Sequence, residues 1–274
     1  MSTTARRRAG VATATGLALI AMAAPAAAEQ SDPAALSVLH GVPGMTVDVY
    51  VDGELTLDDF EPATLAGPLE LPAGTYSVAI TAADAEDDSD PVLGPIDLDL
   101  EAGGNYTAVA HLDADGEATA SFFMNDISEV AAGEGRLTVR HTAAAPAVDV
   151  LAGDEAVIMD LANGSEESLE LPAGTVSASV AAAGTTDPVI GPADLMVEEG
   201  THTIVYAWGS LEDDSLDIAI QTIDYLGSAP SGVPTGLVPV EEPSGLPLAA
   251  VIGGLGAAVL AAVFGGRALV RNRA

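Results

Sequence analysis

The 274-residue chain has no cysteine and no lysine, and only 4% of it is aromatic. The missing cysteine excludes a disulfide framework, a thiolate nucleophile, cysteine-ligated zinc and iron–sulfur clusters. Positive charge is scarce: eight arginines stand against 41 Asp and Glu, a formal net charge of −33. So acidic a surface cannot hold nucleic acid by neutralising its phosphates. The 49% of hydrophobic residues is dominated by 52 alanines. Alanine buries little area, and stabilisation follows apolar area at about 25 cal/mol per Å². Each domain therefore depends on its Val, Ile and Leu and on Tyr76, Tyr106, Phe122, Phe123, Tyr206 and Trp208.

The charges are segregated. Residues 1–28 and 246–274 each hold three arginines and no acid, whereas residues 29–245 hold all 41 acids and only Arg136 and Arg140. Arg6, Arg7 and Arg8 precede the apolar run Val11 to Ala24, and Ala26-Ala27-Ala28 precedes Glu29. This is the pattern of a signal peptide over residues 1–28, with cleavage at small residues. The arginine run is compatible with twin-arginine export, but the rest of that motif is not evident and the general route fits better. Leu246 to Gly266 is uncharged and followed by Arg267, Arg271 and Arg273. As a helix it spans about 30 Å, the thickness of a hydrocarbon core. The basic tail, 267–274, is expected on the cytoplasmic side and the acidic segment outside. Gly253, Ala257, Ala261 and Gly265 recur every fourth position, a spacing that suits helix–helix self-association. Residues 226–245, with four prolines and four glycines, read as a stalk.

The acidic segment is duplicated. Leu69 to Thr75 (LELPAGT) recurs unchanged as Leu169 to Thr175, and Asp90-Pro91-Val92-Leu93-Gly94-Pro95 recurs as Asp187-Pro188-Val189-Ile190-Gly191-Pro192. His40 and Val47-Asp48-Val49 match His141 and Val148-Asp149-Val150. Two whole domains are expected, 29–131 and 132–225. Within each, apolar residues alternate at period two: Val47, Val49, Val51; Tyr76, Val78, Ile80; Ile96, Leu98, Leu100; Val176, Ala178, Val180. Turn signals separate the runs. The expectation is an all-β chain of two tandem antiparallel immunoglobulin-like sandwiches, without the cysteine–tryptophan core of antibody domains.

These segments resemble the extracellular family DUF4397, a domain of unknown function. The resemblance rests on Leu36-Ser37-Val38-Leu39-His40, Val47 to Gly53 (VDVYVDG), Leu71 to Tyr76 (LPAGTY) and Gly103 to Thr107 (GGNYT). The second unit matches through Val148 to Val150 and Leu171 to Thr175, and departs where Tyr50 becomes Leu151 and where Gly103 to Tyr106 becomes Gly200-Thr201-His202-Thr203. The resemblance implies a secreted or surface-anchored prokaryotic β-sandwich and supplies no catalytic residue.

Few groups suggest chemistry. Asp84, Glu86, Asp87, Asp88 and Asp90 form an acidic loop able to offer oxygens to Ca²⁺, but the matching loop of the second unit is shorter and keeps one acid. A solvated loop is the simpler reading. Asp113 to Glu117 reads as a hairpin turn, with Glu212-Asp213-Asp214 its counterpart. His40 and His141 are equivalent, which points to structure; the counterpart of His111 is Trp208, and the four histidines lack metal-ligand spacing. Asp48 and Asp149 read as solvent-face residues of their strands. Arg136 and Arg140, at the junction of the units, are expected to pair with acids there and limit bending, the alternative being a surface pair worth under about 1 kcal/mol. Together these features predict a membrane-anchored extracellular binding or structural protein without a cofactor, its partner a cell-envelope protein or polysaccharide. A cell-envelope enzyme or accessory subunit, a hydrolase above all, and a Ca²⁺-responsive module are the alternatives.

Overall fold

The computed structural model describes residues 31–224, 226 and 227. The signal peptide, most of the stalk, the apolar segment 246–266 and the basic tail lie outside the described residues. Among the described residues no helix is long and apolar enough to cross a membrane.

The described chain is all β. The first unit contributes β1 (Ala34–His40), β2 (Val47–Val51), β3 (Glu54–Phe60), β4 (Leu65–Leu71), β5 (Gly74–Ala82), β6 (Leu93–Leu100), β7 (Asn105–Leu112) and β8 (Ala118–Met124). The second contributes β9 (Glu134–Ala144), β10 (Val148–Ala152), β11 (Glu155–Leu161), β12 (Glu166–Pro172), β13 (Gly174–Ala182), β14 (Pro188–Val197), β15 (His202–Ser210) and β16 (Asp217–Ile223). Each unit is a pair of open four-stranded sheets. In the first the orders are β4-β1-β7-β8 and β3-β2-β5-β6; in the second they are β12-β9-β15-β16 and β11-β10-β13-β14. The duplication read from the motifs thus extends to topology. One feature differs from an all-antiparallel sandwich: β1 pairs with β7, and β9 with β15, in parallel. Parallel neighbours need a long crossover, and here the chain passes through the opposite sheet between them.

The alternation builds the cores. Leu36, Val47, Val49, Ile80, Leu98 and Tyr106 face inward in the first unit, and Val139, Val148, Val150, Ile158, Leu161 and Val180 in the second. The repeated Gly-Pro element also has a packing reason. Gly94 and Gly191 have positive φ (100° and 86°), and a Cβ would lie 2.6 Å and 3.0 Å from the carbonyl oxygens of Val78 and Ala178. No other residue fits so close to the neighbouring strand.

The lean core leaves space. A cavity of about 70 Å³ lies between the sheets of the first unit, lined by apolar residues including Val49, Ile80, Ala108 and Ala120. The equivalent cavity of the second unit is about 30 Å³, lined by Val150, Val180, Val205 and Ile218. Strand register equates Ala108 with Val205 and Ala120 with Ile218, so the smaller side chains explain the larger void. Ala108→Val is expected to stabilise the protein by about 0.5–2 kcal/mol in a denaturant titration, as cavity filling does.

Candidate functional site

Outside the cores, the densest polar chemistry lies where the two units meet. The outward face of β1, β7 and β8 packs on the outward face of β9, β15 and β16. Leu39, Val109 and Phe123 of the first unit form one buried cluster with Ile204 and Tyr206 of the second. Both faces of β9 and β15 are therefore covered, and no residue of β15 is exposed.

Arg140 is the centre of this junction and is fully buried. Its Nε donates to Glu166 Oε2 at 2.7 Å, Nη1 to the Tyr206 hydroxyl at 2.7 Å and Nη2 to Asn125 Oδ1 at 2.8 Å. The guanidinium lies 4.2 Å above the Phe123 ring centroid. The network continues across the boundary. Thr107 Oγ1 and the Tyr206 hydroxyl both donate to Gln221 Oε1, and Gln221 Nε2 donates to Ser37 Oγ at 3.2 Å. Asn125 Nδ2 donates to Asn105 Oδ1 at 2.7 Å and to Thr107 Oγ1 at 3.0 Å. A buried cation is tolerable only when paired and hydrogen-bonded; Arg140 is paired with Glu166, and each of its three nitrogens has a partner. Burial raises the pKa of the Tyr206 hydroxyl, so it remains a proton donor.

Arg136 holds the segment that links the units. Its Nη1 donates to the carbonyl of Asp126 at 2.8 Å and lies 3.1 Å from the Asp126 carboxylate; Nη2 donates to Glu170 and Ser128, each at 3.1 Å. Both arginines thus pair with acids at the junction as expected, and neither is a surface residue. Sequence reasoning gave Tyr206 a place only in the core and missed Gln221, Asn125 and Thr107. A signal was present for some: Arg136, Thr138, Arg140 and Thr142 mark a polar face with period two, and the long apolar run Ile204 to Trp208 implies a strand covered on both sides.

The histidines are structural. His40 Nε2 bonds the carbonyl of Met45 at 2.7 Å, and its equivalent His141 bonds that of Pro146 at 2.9 Å. His111 contacts Ser121 Oγ and the carbonyl of Leu112. His202 bridges the linker and β9: Nδ1 donates to the Asp126 carbonyl, 3.1 Å away, so Nε2 accepts from Thr138 Oγ1 at 2.6 Å. Burial, then the charges of Arg136 and Arg140, lower the His202 pKa to about 4. Burial lowers those of His40, His111 and His141 too.

Asp48 and Asp149 require a correction. They are not solvent-face residues but 3% and 6% exposed. Asp48 Oδ1 accepts the N–H of Asp59 at 2.9 Å, and Asp149 Oδ1 that of Asp160 at 2.8 Å. Asp59 and Asp160 have φ of 50° and 53° at a bulge in the β2–β3 and β10–β11 pairings. The buried carboxylates hold these left-handed residues in place. In the first unit Asp48, Asp58 and Asp59 bring carboxylate oxygens within 4.8 Å of one another. The loop residues Asp84, Glu86, Asp87, Asp88 and Asp90 connect β5 to β6 and are not part of this trio. Hydrogen bonding from the Ser89 side chain, then from its N–H, 3.0 Å from Asp87 Oδ1, lowers the Asp87 pKa. Asp113 to Glu117 is a hairpin turn closed by the Asp113 N–H to Glu117 carbonyl bond of 2.8 Å.

With this geometry in view, comparison with known families gives one match. A DUF4397 domain is present at residues 34–151. The family is described as a domain of unknown function, and the match covers β1 to β10: the first sandwich and the two opening strands of the second. No curated protein matches the chain. The second unit repeats the architecture of the first, consistent with a tandem copy.

Arg140→Met leaves Glu166, Asn125 and Tyr206 without their partner and is expected to cost about 3–5 kcal/mol of unfolding free energy, read from the guanidinium midpoint. For the histidines, the unfolded chain takes up protons near pH 6.5 while the native state resists them. The stability they contribute is complete above pH 6.5 and falls as pH drops toward about 4, the native value for His202. Melting temperature recorded from pH 7.5 to pH 4 should decline through that window, and less steeply in His202→Gln.

Proposed function

We propose that the protein is exported, anchored by its C-terminal apolar segment, and presents the two-sandwich body outside the membrane as a binding or structural module. The observation that carries this reading is the use to which the body puts its buried polar groups. Arg140, Arg136, the four histidines, Asp48 and Asp149 all hold strands, turns or the junction in place, which is the chemistry of a scaffold. The charge pattern supports the topology: arginines at both ends and an acidic segment between them fit an exported N-terminus and a cytoplasmic tail. The many exposed acids favour solubility and mutual repulsion at a crowded surface. The partner class is a cell-envelope protein or polysaccharide. Fractionation of cells producing the full chain should place it in the membrane with the body cleaved by external protease, and removal of residues 246–274 should release it to the medium. A chain that stays soluble inside the cell contradicts the reading. Capture of an envelope partner by the released form, lost after heat unfolding, would identify what the body binds.

A further inference from the structure

The outer face of the β3-β2-β5-β6 sheet carries a feature that the second unit lacks. Register sets Thr81 on β5 directly opposite Asp48 on β2, so the two side chains share one face with Cβ atoms about 5 Å apart. Thr81 is fully buried, and its hydroxyl has no hydrogen-bond partner. An orphaned buried hydroxyl is uncommon in a native fold and calls for a reason. Beside it stand the carboxylates of Asp48, Asp58 and Asp59, within 4.8 Å of one another. Strands β1 to β8 contain no Arg or Lys to neutralise them.

The duplicated unit is an internal control. Its counterpart of Asp48, Asp149, is satisfied entirely by backbone: Asp160 N–H reaches one oxygen and Gly184 N–H the other, both at 2.8 Å. There Met159 stands in place of Asp58, Ala181 in place of Thr81, and Gly184 in place of Asp84. Three oxygen-bearing side chains have thus been exchanged together for residues with none, around an aspartate whose strand position and bulge contact are unchanged. The loop above the first unit's cluster adds acids. Carboxylates of Asp48, Asp88, Asp87 and Asp58 all act on Tyr50, after burial, to raise its pKa. These acids therefore converge on one patch of the sheet.

We propose that Asp48, Asp58, Asp59 and Thr81 form a Ca²⁺ site on the outer face of the first sandwich. Three carboxylates and a hydroxyl provide hard oxygen donors, and water or the neighbouring Asp87 and Asp88 complete a shell of six to eight. Ca²⁺ fits better than Mg²⁺, because two of the three acids are exposed and the set is not confined to an octahedron. The site differs from the loop set considered from sequence: its ligands lie on the paired strands β2, β3 and β5, not in the β5–β6 loop. The proposal stands whatever partner the body binds.

The test compares the full chain with the double variant Asp58→Met, Thr81→Ala, which carries the residues the second unit already accommodates. At roughly ten times a Kd of about 10⁻⁴–10⁻³ M, typical of extracellular modules, CaCl₂ should raise the wild-type melting temperature by about 3–6 °C. NaCl at matched ionic strength should not reproduce the rise, and the variant should fold yet lose it. Titration calorimetry should give one site per wild-type chain and none per variant chain. An equal rise in NaCl, an equal Ca²⁺ response in both proteins, or no Ca²⁺ heat for the wild type would overturn the proposal.

Discussion

A guanidinium with no access to solvent sits at the centre of this molecule. Moving such a charge out of water costs several kcal/mol unless its donors and its charge are all answered. Arg140 obtains its answers from both halves of the chain: Glu166 and Tyr206 from its own unit, and Asn125 and the Phe123 ring from the other. Separating the sandwiches would remove Asn125 and Phe123 from the guanidinium and expose Leu39, Val109 and Ile204. The arginine therefore works as a condition on the arrangement. It is tolerated only when the two sheets are stacked in this register.

Duplication makes that condition specific. The two packed faces are equivalent surfaces of equivalent sheets, so one ancestral face could pair with itself. They have diverged in opposite directions. Leu39, Val109 and Phe123 in the first unit correspond to Arg140, Tyr206 and Gln221 in the second. At these positions the first face sets a leucine, a valine and a phenylalanine where the second offers a cation, a phenol and an amide. Two copies of the second face would bring two arginines together and lose the Asn125 oxygen and Phe123 ring that Arg140 meets across the boundary, and two copies of the first would leave Asn125, Thr107 and Ser37 without Arg140 and Gln221. Divergence of this kind favours pairing within the chain over pairing between chains.

Much of the architecture was legible in the sequence because period-two alternation and repeated turns are local signals. LPAGT marks the tight passage from β4 to β5, and its recurrence announces the passage from β12 to β13. The parallel pairing of β1 with β7 was not legible, since nothing local distinguishes it from an antiparallel neighbour. Asp48 was misread for a physical reason. Alternation assigns a polar residue opposite a buried valine to solvent, but the chain after β5 folds back over that face and the bulge at Asp59 needs a carboxylate beneath it. Arg140 was half legible. Its rarity in an acidic segment pointed to pairing, while its partners lie 66 residues away at Tyr206 and 15 at Asn125. Gln221 reaches Ser37 over 184 residues, a distance at which no spacing rule operates.

The central claim is that the two sandwiches form one cooperative body through this buried junction. Differential scanning calorimetry of the full chain in detergent tests it most directly. One transition across both units, with equal calorimetric and van't Hoff enthalpies, is the predicted result. Two resolved transitions, each with the enthalpy of a single sandwich, would contradict it.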